Sequence, residues 1–593
     1  MHVNRTAVRR RGAATVVAVV AVLVLFLVRL VDVQLVNAQS INEEAEGRRG
    51  VTSTIWGDRG DILDASGTVL AGSVDRFDIT VSPRNVADIT EITSDGEEVV
   101  VMTRDDALAK LASITGQDPT QVTSIVDDAL AADPESNYAL LTRSVTLEQY
   151  EAVRALAIPW LYYERHPARV YPNGAVAGNL TGFLGSDSTP LAGLENSLDS
   201  CLAGVDGELM YERGADGVQI PGSEVTITEM QQGGDLMLSI DLDTQWYAQQ
   251  VIASEVQRMG GQYGHITVQE VKTGKLVAVA EWPSVDPNNP GLSEPDDRGS
   301  RAFTSPYEPG STIKPLTAAG VLDAGLTTPD EHFVVPDSWD QDGASFSDDS
   351  NHPVANWTAA GIMAVSSNVG IAMMGQRLSA DARYDNLVNF GLGSPTETGF
   401  LGEESGTVHP ASEWDPQTNY ATMFGQGLEV TAPQMASIYQ TIANGGVRLP
   451  VSLAQGCRAA DGTVAPLTSG EPRQVISPEA AAQTLTLLEA TAQSGHNAAE
   501  TSIPGYRVGV KTGTAQISSG EGTYLDGQYM TSMAGVAPID DPRYVVVVSI
   551  MDPTTTRSSA ATAPAWKDVM SYVLEKNRVP TSPQPWPTIQ TSY

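Results

Sequence analysis

The sequence is poor in positive charge. Its 593 residues carry 35 lysine and arginine against 72 aspartate and glutamate, a formal net charge of −37. Such a field repels phosphate backbones, so no nucleic-acid partner is expected. Cysteine is almost missing: Cys201 and Cys457 stand far apart, without metal-type spacing. The residues alone leave open whether they are bridged outside the cell or remain two free thiols. The seven histidines are scattered and form no His-x-x-x-His pair, so neither a metal site nor a cofactor is expected. Lysine is scarce enough to search exhaustively: Lys110, Lys272, Lys275, Lys314, Lys511, Lys567 and Lys576 are all there are.

What is present indicates a large globular chain with an anchor. Apolar content of 41% and charged content of 18% exclude disorder, and the length predicts two or more domains. Arg5, Arg9, Arg10 and Arg11 precede an apolar run from Ala13 to Val28, which Leu30 and Val31 extend past Arg29. That is near the lower limit for crossing a bilayer, about 20 residues, and Arg29 can snorkel to the headgroups. The arginine cluster belongs inside the cell. The expectation is a cytoplasmic tail at 1–11, a single transmembrane anchor at 12–36, and everything after about 37 outside. A cleaved signal peptide, ending at Val36-Asn37-Ala38, is the alternative. The run is longer than the roughly 7–15 residues of a signal core, and the cleavage site lies several residues beyond it.

A polar stalk is expected over 37–54. Asp58 to Ala71 places apolar residues on both sides of a Ser66-Gly67 turn, the pattern of a β-hairpin. Helical periodicity marks 105–115, 119–131 and 146–156, and a Gly- and Pro-rich stretch of strands and loops runs over 159–228. Residues 37–232 thus form one elongated α+β pedestal. A second domain is expected over 233–578. Its strand patterns lie at 236–240, 265–271, 275–280, 507–510, 532–537 and 544–551. Its helical patterns lie at 244–259, 311–320, 359–377, 433–444 and 478–493. That order predicts an α+β fold with helices packed on a largely antiparallel sheet. Residues 579–593, with four prolines, are expected to be a flexible tail.

Three motifs carry chemistry. In Glu308-Pro309-Gly310-Ser311-Thr312-Ile313-Lys314-Pro315, Pro309-Gly310 interrupts structure and Ser311 opens a helix. Ser311 and Lys314, three apart, share a helix face. Serine needs an adjacent base to be a nucleophile, and a lysine serves if burial or a neighbouring charge lowers its pKa. This is the chain's single Ser-x-x-Lys; taken alone it reads equally as a capping serine beside a solvated lysine. Ser366-Ser367-Asn368 interrupts an apolar segment. Alone it is a capped helix end; functionally Ser366 relays a proton, while Asn368 binds a substrate amide and positions Lys314. Lys511-Thr512-Gly513-Thr514 ends a strand, and Gly509 and Gly513 leave room for an added substrate strand. Lys511 and Thr512 would bind a terminal carboxylate. The N–H groups of Ser311 and Thr514 would form an oxyanion hole, and the charge of Lys511 would help depress the pKa of Lys314. Lys272-Thr273-Gly274 repeats the tripeptide, but at a hairpin turn, and is assigned a structural role.

Ser-x-x-Lys, Ser-x-Asn and Lys-Thr-Gly in this order resemble penicillin-binding proteins and serine β-lactamases. Tyr307-Glu308-Pro309-Gly310, Phe424-Gly425-Gln426-Gly427, Ala443-Asn444-Gly445-Gly446, Ala534-Gly535-Val536-Ala537-Pro538, Asp58-Arg59-Gly60 with Gly67, and Gly193-Leu194-Glu195 with Leu202 and Gly204 extend the likeness to class B members over nearly the whole chain. One departure is Asp64-Ala65-Ser66-Gly67, where the family usually has Asp-Arg-Asn-Gly; the turn survives and a partner contact there is in doubt. The resemblance implies a membrane-bound peptidoglycan D,D-transpeptidase that cross-links stem peptides through a Ser311 acyl-enzyme, is trapped by β-lactams, and acts in cell division or elongation. It also implies pairing with a multi-pass membrane glycosyltransferase and other cell-wall machinery. The rivals are a D,D-carboxypeptidase or β-lactamase-like hydrolase, for which no class A deacylating Glu motif is present, and a non-catalytic β-lactam sensor or division scaffold.

Overall fold

Four consecutive valines, Val545–Val548, show how the largest sheet is built. Side chains alternate along a strand, and these do so between two cores. Val545 and Val547 join Met435, Ile438 and Leu487 on one face, while Val546 and Val548 join Ile252, Val256, Trp566 and Val569 on the other. A strand covered on both faces has no reason to alternate polar residues, hence the unbroken run. The sheet is five-stranded, ordered Leu276–Trp282, Tyr263–Glu270, Tyr544–Met551, Tyr524–Ala537, Gly509–Ser518, and antiparallel throughout. The expected helices on an antiparallel sheet are present, but they cover both faces. Helices Leu242–Met259 and Ala563–Lys576 take one face; Lys314–Asp323, Ala432–Ala443 and Pro478–Ser494 take the other. Helix Ala563–Lys576 was not among the expected elements, although Trp566, Val569, Met570 and Val573 keep a helical period.

This computed structural model describes residues 5–37, 50–212, 220–467, 470–519 and 523–593, so most of the expected stalk and the first four residues of the expected tail lie outside the described residues. The chain divides into two compact units: residues up to Asp58 with Gly204–Gln232, and Arg59–Ala203 with Gly233–Tyr593. In the first, helix Arg5–Val31 and the π-helical turn Asp32–Val36 after it contain a segment, Arg9–Gln34, long and apolar enough to cross a membrane, with Leu25 and Phe26 exposed. Strands Gly50–Ile55, Gly207–Glu212 and Val225–Thr228 form a small antiparallel sheet.

In the second unit, helices Arg104–Thr115, Pro119–Ala132 and Leu147–Arg154 start at the side-chain caps Thr103, Asp118 and Thr146. They bury Leu108, Leu111, Val122 and Val126 against Leu141 and Trp160. The expected hairpin forms between Ile62–Leu63 and Val69–Val81. Its turn is held by Asp64 Oδ1, which accepts from Ser66 N and Thr68 N at 2.8 Å, so the departure from the family's turn is structurally complete. Two residues of the quoted motifs meet in a buried knot. Glu195, with no side-chain exposure, takes Arg59 Nε and Arg169 Nε at 2.6 Å each.

Residues 59–203 of the expected pedestal fall in one compact unit with Gly233–Tyr593. Ile62–Leu63 runs parallel to Leu236–Met237, Leu180 and Leu202 share a core with Leu276 and Leu453, and Cys201 is disulfide-bonded to Cys457. The proline-rich terminus, expected to be loose, is tied down. Ser582 N donates to Gly505 O, Gln493 Nε2 to Pro587 O, and Thr358 Oγ1 to Gln590 O, and Tyr593 stacks on His332. Proline lacks an N–H donor but keeps its carbonyl, and the chain is held here largely through carbonyls.

The disulfide closes a sequence separation of 256 residues. Cys201→Ser with Cys457→Ser is predicted to lower unfolding stability by about 2–4 kcal/mol. An unchanged urea midpoint would show that the bridge adds nothing to stability.

Candidate active site

Gly310 adopts φ +55°, and its N–H donates to Gly425 O at 2.9 Å. A Cβ on Gly425 would lie 2.0 Å from Gly310 O, so the Phe424–Gly427 motif is the cradle of the serine turn. That turn is a 3-10 segment, Gly310–Ile313, continuing into helix Lys314–Asp323 with Pro315 in its first turn. Thr312 Oγ1 donates to Pro309 O at 2.7 Å, and Tyr439 OH donates to Thr312 O at 2.9 Å. Glu308 accepts from Gly427 N at 2.9 Å and from Tyr524 OH at 3.2 Å, and burial raises its pKa. Ser311 is half-buried, whereas Lys314 is only 1% exposed.

The expected long helix over 359–377 is two helices, Ala359–Val365 and Asn368–Gly375. Ser366 ends the first in the left-handed conformation, φ +63°, and Ser367 caps the second. Both Ser366 and Asn368 are half-buried. Lys314 Nζ donates to the carbonyl of Ser366, to Asn368 Oδ1 at 2.8 Å and to Ser366 Oγ at 3.3 Å.

Strand Gly509–Ser518 ends the five-stranded sheet. By period 2, Lys511, Gly513 and Ala515 face one way and Thr512 and Thr514 the other. The first set faces the serine turn. A Cβ on Gly513 would lie 2.9 Å from Pro309 O and 3.0 Å from Thr312 Cγ2, and one on Gly310 would lie 3.1 Å from Ala515 Cβ. Lys511, fully buried, donates to Ser366 Oγ at 2.8 Å and to Thr512 O at 3.0 Å. Thr512 and Thr514 are half-exposed. Lys272-Thr273-Gly274 is the turn joining the strands Tyr263–Glu270 and Leu276–Trp282, with Gly274 at φ +73°.

Three sequence motifs thus converge on one hydroxyl, that of Ser366. Burial lowers the pKa of Lys314 to about 8, against the carboxylates of Asp349 and Asp348, which pull it up. Lys511 is pushed well below its ordinary value, first by burial and then by the charge of Lys314. Burial, one of the two causes expected, acts on Lys314, while the repulsion between the pair, expected at Lys314, weighs on Lys511.

Sequence reasoning missed the support beneath the second motif. Asp348 Oδ2 accepts from Ser367 Oγ at 2.6 Å and lies 3.0 Å from His352 Nε2, and its Oδ1 accepts from Val369 N at 2.9 Å. An aspartate in a Ser- and Asp-rich loop reads as solvated, and nothing local in the sequence marks it otherwise.

Comparison with known proteins gives matches over nearly the whole chain. The penicillin-binding protein transpeptidase domain matches residues 264–571, and the penicillin-binding protein dimerisation domain matches 54–238. Penicillin-binding protein PbpB of Mycolicibacterium smegmatis is 34% identical, over 96% of this chain and 91% of that protein. Peptidoglycan D,D-transpeptidase FtsI of Escherichia coli is 30% identical, over 93% of this chain and 89% of that protein. The crystal structure of penicillin-binding protein 3 from Mycobacterium tuberculosis complexed with aztreonam superposes with a TM-score of 0.69 at 27% identity, covering 91% of this chain and all of that one.

With only seven lysines, side-chain NMR can follow each one. A lysine resonance titrating near pH 8 and lost in Lys314→Met is expected. If the resonance removed by that substitution titrates above pH 10, burial does not depress this amine.

Proposed function

The chain belongs to the class B penicillin-binding proteins, and we propose that it cross-links peptidoglycan as a serine D,D-transpeptidase with Ser311 as its nucleophile. The observation that carries the assignment is the meeting of Lys314 and Lys511 at Ser366 Oγ, with the serine turn packed against Gly513.

The chemistry follows from the groups present. Ser311 Oγ attacks the carbonyl of the penultimate D-alanine of a donor stem peptide, and its proton passes to neutral Lys314. The N–H groups of Ser311 and Thr514 hold the oxyanion. The peptide bond to the terminal D-alanine breaks, and the departing nitrogen takes a proton through Ser366, which both amines contact. The ester left on Ser311 is then attacked by an amine of a neighbouring stem peptide, which loses a proton as Ser311 is released. Splitting the exchange into two acyl transfers lowers each barrier. A β-lactam opens on Ser311 but stays attached, so the ester persists.

Lys511 and Thr512 receive the donor's terminal carboxylate, with the substrate lying along the edge strand Gly509–Ser518. A carboxylate brought beside Lys511 raises its pKa again, since an opposite charge favours the ammonium. Asn368 holds Lys314 by its Oδ1. Around this site, 1–11 is the cytoplasmic tail, 12–36 the anchor, 37–232 the pedestal and 233–578 the transpeptidase domain. The N-terminal arginines support a cytoplasmic N-terminus, with the catalytic part outside the cytoplasm. The anchor and pedestal are the surfaces that meet a multi-pass membrane glycosyltransferase.

Fluorescent penicillin should label the wild-type protein durably and leave Ser311→Ala unlabelled. Equal labelling of Ser311→Ala sinks the assignment, and rapid loss of label points to a hydrolase instead. Because Lys314 must be neutral to take the proton, the acylation rate should rise about tenfold per pH unit up to pH of about 8 and level off above it. A flat profile between pH 6 and 8 would exclude Lys314 as the base.

A further inference from the structure

We propose that Asp348, braced by His352, is a positioning residue that sets the second motif in the geometry the two lysines require. It rests on the roles given above to Ser366, Asn368 and Lys314.

The motif is a strained hinge between two helices. Ser366 sits at φ +63°, a left-handed conformation that is strained for a residue with a Cβ. Helix Asn368–Gly375 then begins with N–H groups that have no partner within the helix. Asp348 answers both needs with one carboxylate. Its Oδ1 accepts from Val369 N, and its Oδ2 accepts from the hydroxyl of Ser367, whose Oγ in turn accepts from Gly370 N at 2.8 Å. A negative charge at a helix start is also favourable. The adjoining residue fixes the rest. Asn368 Nδ2 donates to Ser347 O at 3.0 Å, which orients the amide so that its Oδ1 is left to accept from Lys314. Ser347 and Asp348 together therefore hold residues 367–369 from one side, while the lysines reach Ser366 and Asn368 from the other.

His352 locks the carboxylate in turn. Its Nε2 lies 3.0 Å from Asp348 Oδ2 and its Nδ1 lies 2.7 Å from Pro353 O. Both ring nitrogens face acceptors, so the arrangement is fully bonded only for the imidazolium. Burial lowers its pKa, but the Pro353 carbonyl and then the carboxylates of Asp348 and Asp337 raise it by more, and the ring rests against Trp357. The Asp348 side chain is 7% exposed and that of His352 18%, so this is an inner support and not a surface pair.

The test uses the full-length protein in detergent, with β-lactam acylation resolved into a binding step and a covalent step. Asp348→Ala should slow the covalent step by about ten- to hundredfold, the scale on which small misplacements of reacting groups act, with the binding constant within about threefold of wild type. His352→Ala should lose less, and His352→Gln, which keeps an N–H donor for Asp348, should recover most of that loss. In Asp348→Asn the acid limb of the acylation profile should move to lower pH, because one carboxylate that holds Lys314 protonated is gone. Acylation of Asp348→Ala at the wild-type rate overturns the proposal. So does a loss that falls equally on binding and on melting temperature, with no rescue by His352→Gln. Labelling of Ser311→Ala in the same series would sink the nucleophile assignment instead and leave the two failures distinct.

Discussion

Two lysine ammonium groups are buried beside a single serine hydroxyl, and the rest of the catalytic part exists to hold that unfavourable arrangement. Lys314 and Lys511 are 1% and 0% exposed, and among the described residues their hydrogen-bond partners are carbonyl, amide and hydroxyl oxygens, not carboxylates. Burying a charge without a counter-charge costs several kcal/mol, and a protein avoids that cost by letting the group give up its proton. A lysine surrounded by carboxylates would be cheaper to bury and useless as a base. The distant acids, Asp348 and Asp349, act on Lys314 weakly enough that its pKa stays low.

That destabilising centre sits between strong supports. The five-stranded sheet is covered on both faces, so the edge strand carrying Lys511 is anchored through Val510 to one core while its alternate residues face the serine turn. A Cβ at 513 would lie 2.9 Å from Pro309 O, closer than real Cβ atoms come, while at 310 the positive φ of +55° favours glycine and a Cβ would press on Ala515 at 3.1 Å. The cradle at Gly425 works the same way from the other side. Geometry at the site is thus set by backbone against backbone, which is stiffer than contact between flexible side chains.

Much of this was legible from residue order. The helical periods over 244–259 and 478–493 reappear as Leu242–Met259 and Pro478–Ser494, and Lys314 and Lys511, from two of the motifs, both reach Ser366 of the third. Local patterns reveal such elements because periodicity is a local property. What stayed hidden depends on long-range pairing. The bridge between Cys201 and Cys457, the packing of 59–203 with 233–593, and the docking of 579–593 involve partners that no local window shows. Asp348 and His352 stayed hidden for the same reason. An acid and an imidazole in a polar loop look alike whether they face water or a helix start.

The left-handed backbone of Ser366 shows most directly how function and stability trade against each other here. Glycine adopts φ +63° without strain, and a helix end is where glycine is commonly found. Glycine would also remove the one atom that both Lys314 and Lys511 contact. The chain therefore keeps a serine in a conformation glycine would adopt freely, and the strain is offset by hydrogen bonds on the far side of the hinge, from Ser367 and Val369 to Asp348. Each is a local contribution of about 1 kcal/mol, or somewhat more to a charged acceptor. A network of that size is enough to hold the hinge, and it explains why a carboxylate sits behind a motif whose working face is entirely hydroxyl, amide and amine.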